Sequence, residues 1–130
     1  MIVPRTEQMK MLRRHLTEEA CTLRLFINDI KPRRTDDTAE RYQEPEGSGY
    51  APIPLDAERW SFVTLEEDSP VMAVYPEQLF TFTGPDGPIY GFLIVAASGA
   101  VKMVERIPGD PATIERGGDI VAVTPRLTLE

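Results

Sequence analysis

Few residues in this 130-residue chain have the type and spacing to do chemistry. There is one cysteine, Cys21, and one histidine, His15. A thiol or hydroxyl nucleophile needs a base beside it, and His15 has no evident carboxylate partner. Cys21 opens an alternating run to Asn28, CTLRLFIN, which places it on an apolar strand face as a small core residue. Three adjacent acids, Glu66-Glu67-Asp68, lack the spaced oxygen ligands of a calcium loop and read as a solvated turn. Gly117-Gly118-Asp119 lacks the Gly-Lys-Ser/Thr ending of a phosphate loop and precedes no helix. Paired carboxylates for hydrolysis need a fixed cleft, whereas the acids here gather in turns. The chain is expected to have no catalytic residues and to need neither metal nor cofactor, so that chelator leaves its thermal transition unmoved.

Charge narrows the partners. Fourteen basic against 21 acidic residues leave a formal charge of −7. Phosphate backbones repel such a chain, so no nucleic-acid partner is expected. The first fifteen residues are charged and contain no apolar leader segment. The longest apolar run, Ile89–Ala97, is too short to cross a bilayer, so no membrane partner is expected either. A lone cysteine excludes an intrachain disulfide. The fold must therefore rest on its core, which a domain of this length can supply.

The elements follow from periodicity. Residues 1–18 form a helical arm, with a helix over Pro4–Glu18 whose stripe is Met9, Leu12 and Leu16, widened by Met11. Residues 19–130 form one β domain. The stretch from Glu77 to Ala97 reads as its central hairpin. Phe80 and Phe82 alternate with threonines in one arm, Gly84–Pro88 turns the chain, and the second arm, Ile89–Val95, is apolar on both faces. A strand of that kind belongs in mid-sheet, and Gly91 within it marks a bulge or a close backbone approach. Residues 29–49 have no periodicity and form a long polar loop. Pro52 and Pro54 demote the next segment to an edge or a crossing. Shorter strands are expected around Trp60–Phe62, Val71–Tyr75, Val101–Ile107 and Ile120–Thr124, with Leu127 and Leu129 continuing the last. About seven to nine short strands between turns predict an antiparallel β-sandwich, jelly-roll or immunoglobulin-like. Leu25, Trp60, Phe82, Phe92, Ile94 and Val121 are its expected core.

The order of short motifs resembles a widespread group of small tailed-bacteriophage virion proteins. The shared features are the strand LRLFIND, Gly49-Tyr50, a tryptophan strand, QLFTFT at 78–83, Tyr90-Gly91-Phe92, and the closing GGDIVAVTPRLTL at 117–129. The chain departs from that pattern at Met103–Ile107, where a tryptophan is commoner, and at Asn28-Asp29, where two asparagines are. The resemblance covers nearly the whole length and carries no catalytic residues. It implies a structural role on the outer capsid surface, as a decoration or cement protein made in the host cytoplasm. The implied partners are the major capsid protein and further copies of the chain, with a trimer favoured. The alternative is a tail- or fibre-associated domain that contacts host carbohydrate, for which clustered exposed tyrosines would be the sign. On the capsid reading the helix and the loop mediate the contacts, through Met9, Leu12, Leu16, Arg33, Arg34 and Tyr42. The helix stripe by itself also fits a helix packed on its own domain, and deleting residues 1–18, with a check that the β domain still folds, separates the two readings.

Overall fold

The computed structural model describes residues 2–129. It is mainly β, with one helix, α1 (Arg5–Thr17), at the N-terminal end. Pro4 stands just before that helix, and its carbonyl accepts the Gln8 N–H at 3.0 Å, so the missing proline N–H is no loss.

Among the described residues the principal sheet has four antiparallel strands. These are β1 (Cys21–Phe26), β2 (Ile53–Leu55), β7 (Gly91–Ala96) and β8 (Val101–Arg106), in the order β2-β1-β7-β8. Three smaller antiparallel sheets accompany it. One comprises β3 (Ser61–Val63), β4 (Met72–Val74) and β11 (Arg126–Thr128). The second pairs β5 (Gln78–Thr81) with β10 (Ile120–Val123), and the third pairs β6 (Asp86–Ile89) with β9 (Ala112–Ile114). Apolar residues from all of them meet in one core. Leu23, Leu25, Phe92 and Ile94 come from the principal sheet, and Ala73, Phe80, Val121, Ile89 and Ile114 from the small ones. The layers are those of a sandwich.

Strand β7 is central and buried along its whole length, as its two apolar faces require. Its second face carries Leu93 and Val95, which join Phe26 and Tyr42 in a separate cluster. Gly91 is a close approach: a Cβ there would sit 2.5 Å from Phe26 Cζ and closer still to the Glu105 carbonyl oxygen. Strand β2, with Pro54 in its middle, is an edge strand. All six expected core residues are buried.

The hairpin reading is corrected. The Phe80 strand does not pair with the Ile89–Val95 strand. It pairs with β10, Phe80 opposite Val121, while β7 lies between β1 and β8. The supposed turn Gly84–Pro88 contains most of strand β6, which pairs with β9 through an irregular register. Gly87 and Pro88 are poor strand formers, and a bulged two-stranded ribbon tolerates them. The Gly117-Gly118-Asp119 turn is a bulge that opens β10. Gly118, at φ +92°, donates to the Phe82 carbonyl, and Phe82 N–H donates to the Asp119 carbonyl.

The helix is not a free arm. Leu12 and Leu16 are 0% and 2% exposed and belong to the main core. Gln8 Oε1 accepts the Val71 N–H at 2.8 Å, and the Arg13 guanidinium lies 4.6 Å from the Phe62 ring centre. Removing residues 1–18 would open the core, so the β domain is not expected to fold without them. Leu12→Ala should lower the unfolding free energy by about 2–5 kcal/mol in a denaturant titration, the usual cost of truncating a buried leucine. An unchanged midpoint would show that the helix is dispensable.

Candidate interaction surface

The long loop is built around one carboxylate. Asp36 is only 4% exposed at its side chain. Its Oδ2 accepts from Arg41 Nη1 at 2.6 Å, from the Tyr42 hydroxyl at 2.6 Å and from the Arg33 N–H at 2.9 Å. These partners stabilise the charged form. The Arg41 and then the Tyr42 bonds hold the Asp36 carboxyl at about 2, below its ordinary 3.8. Tyr42 is pushed up to about 12, first by burial and then by its bond to Asp36. Its ring packs edge-on against Phe26 at 5.0 Å. The loop's ends are tied together as well. Asn28 donates to the Arg41 carbonyl at 2.7 Å and accepts the Gln43 N–H at 2.8 Å, and Ile27 N–H donates to the Gln43 carbonyl at 2.7 Å. A 3-10 turn over Ala39–Arg41 and a bridge from Thr38 to Ala100 complete the frame.

The six residues expected to meet a partner do not form one exposed surface. Leu12, Leu16 and Tyr42 are buried within their own chain, and Met9 is half-buried against the core. In this conformation Leu12, Leu16 and Tyr42 are occupied within their own chain, while Met11, which widens the stripe, is 50% exposed. Arg33 and Arg34 are exposed. They stand on the turn that Asp36 closes, where Asp36 N–H also donates to the Arg33 carbonyl at 3.0 Å. The tyrosines do not form an exposed platform either. Tyr42 and Tyr75 are buried, and Tyr50 and Tyr90 are half-buried. The Tyr50 hydroxyl is committed inward: it donates to Glu44 at 2.6 Å and accepts the Leu25 N–H at 3.1 Å. Burial, followed by the bond to Glu44, raises its pKa.

Sequence reasoning missed a basic group beside Arg34. Arg34, His15, Lys102 and Arg126, together with Glu105, line a hollow of about 430 Å³ between β8 and β11. Lys102 Nζ contacts Glu18 at 2.7 Å, and this bond lowers the Glu18 pKa. His15 Nε2 lies 2.7 Å from the Lys102 carbonyl oxygen. These residues come from four distant segments, so no local spacing announced them. The Cys21 thiol is buried, makes long contacts to the Leu16 and Glu19 carbonyls at 3.7 and 3.5 Å, and has its pKa raised by that burial. Such a thiol is a poor nucleophile. Among the described residues, no three His, Cys, Asp or Glu side chains gather to hold a metal ion. Comparison with protein-family models, curated proteins and solved structures finds no match to this chain.

The Asp36 cluster sets a pH dependence. A carboxylate whose pKa is depressed by folding stabilises fully above its unfolded value, about pH 4, and that contribution fades as pH falls toward about 2. Asp36→Asn should therefore flatten the acid limb of the stability curve between those limits. The same change removes a negative charge beside Tyr42, so the phenol should ionise at a lower pH than about 12 in an ultraviolet titration. An unchanged acid limb and an unmoved phenol would show that the cluster does not hold the loop.

Proposed function

We propose that this chain is a non-enzymatic structural protein of a tailed-bacteriophage virion, most specifically a decoration protein that binds and stabilises the head shell. One observation carries the reading: the residues that bear the resemblance to such proteins are the ones that hold this fold together. Asn28 closes the loop, and Tyr50 caps the free Leu25 N–H. Gly91 lets the sheet close over Phe26. Gly118 forms the bulge that opens β10, and the buried Pro125 offers its carbonyl to Tyr75 N–H at 3.0 Å. Shared residues in scaffold positions support kinship of architecture, which is what a structural protein has to preserve. The proposed partners are the major capsid protein and further copies of the chain, grouped about a closed symmetry axis. With Leu12, Leu16 and Tyr42 occupied internally, the contact falls to the exposed Arg33–Arg34 turn and the faces near it.

The test uses particles of the phage whose genome encodes the chain. After density-gradient purification, mass spectrometry should find it in fixed ratio to the major capsid protein. Cryo-electron microscopy should place it on the outside of the head. Its absence from particles, or its presence only at the tail, would overturn the proposal.

A further inference from the structure

Edge strand β8 borders an open seam. Among the described residues it is paired with β7 on one side and with no strand on the other, and only its first residue, Val101, has its outward N–H taken, by the Asp37 carbonyl at 3.0 Å. Ile107 N–H donates to the Tyr90 carbonyl, and antiparallel alternation then turns the backbone groups of Val104 and Arg106 away from β7. Across the seam stand β10 and β11, joined by Thr124-Pro125. The Phe82-to-Asp119 and Tyr75-to-Pro125 bonds fix their phase. By the same alternation Ile120 and Ala122 point their backbone groups away from β5, and Arg126 and Thr128 theirs away from β4. Unpaired edges of this kind are templates for an added strand.

The seam has two chemically different halves. One is the basic hollow of about 430 Å³ that holds Arg34, Lys102 and Arg126. The other is an apolar hollow of about 390 Å³, lined by Phe92, Ile107, Ala112, Ile120 and Val121 among others. Glu105 lines both and marks where they meet. Lys102 is already matched by Glu18. Arg34 and Arg126 form no ion pair among the described residues, and Glu105 is the single carboxylate lining the basic half. On a chain of net charge −7, two guanidiniums with no ion pair among the described residues, at one end of the seam, are complementary to carboxylates.

We propose that the seam takes an extended segment of a partner protein, added as a strand, with acidic residues over Arg34 and Arg126 and apolar residues over Phe92 and Ile107. This goes beyond the virion reading and does not depend on it. A nucleic-acid strand fits less well: its phosphates would meet the acidic bulk of the chain, and the apolar half would have no use for them.

The test is selection of a short random peptide library on the immobilised full chain. Enriched peptides should carry acids clustered at one end and apolar residues at alternate positions toward the other. A synthetic representative should bind about tenfold more weakly, or worse, to the double variant Arg34→Glu, Arg126→Glu. N-methylation of alternate backbone amides in that peptide should abolish binding, because it removes the strand donors. No enrichment, enrichment without this pattern, or binding undiminished by both changes would overturn the proposal. So would a single-stranded oligonucleotide that binds the seam in place of the peptides. A dimer in sedimentation that the two substitutions dissociate would assign the seam to a second copy and equally overturn it.

Discussion

Strand β7 must be kept from water on two faces at once. Its six residues are all buried, and no single layer can cover both sides of a sheet. One side is met by the core shared with α1 and the small sheets, through Phe92 and Ile94. The other side carries Leu93 and Val95, and among the described residues neither α1 nor a smaller sheet contributes to the cluster they form. The long loop covers them instead, with Tyr42, Ile30 and Ala39 seated on Phe26 and its neighbours. Much of the remaining architecture follows from this need for a lid.

A polar loop makes a lid only if its own polar groups are satisfied. Asp36 is the solution found here. A nearly buried carboxylate would be costly alone, but Arg41, Tyr42 and the Arg33 amide surround it with donors. The cluster fixes Tyr42 against Phe26 on one side and presents Arg33 and Arg34 to solvent on the other. The device that closes the core also sets the position of the exposed cations. Any partner that reads Arg34 therefore reads a position determined by the fold's own packing.

Elements with a strong local pattern were legible in the sequence. The alternation of Cys21–Phe26, the two apolar faces of β7 and the Leu12–Leu16 stripe each announce an element and its buried side. Pairing was less legible, because Phe80 finds its partner Val121 far along the chain while the nearer Ile89–Val95 strand looks equally suitable. Strand β6 was hidden by Gly87 and Pro88, whose turn preference the ribbon with β9 overrides. The role of the loop was hidden for a different reason. One tyrosine and one aspartate in a polar run carry no period, and their value lies in what they meet across the sheet. The same holds for the basic group of Arg34, His15, Lys102 and Arg126, which only the tertiary fold brings together.

The central claim is that the loop is part of the folded core's closure. Urea unfolding of Tyr42→Ala, followed by the near-ultraviolet signal of buried Trp60, tests it most directly. Tyr42 is 6% exposed and both packs on Phe26 and binds Asp36. The whole transition should shift, with a loss of about 3–5 kcal/mol, as for other large aromatic residues removed from a core. A variant that unfolds at the wild-type midpoint would contradict the account, because the loop would then be an appendage to a sheet already closed without it.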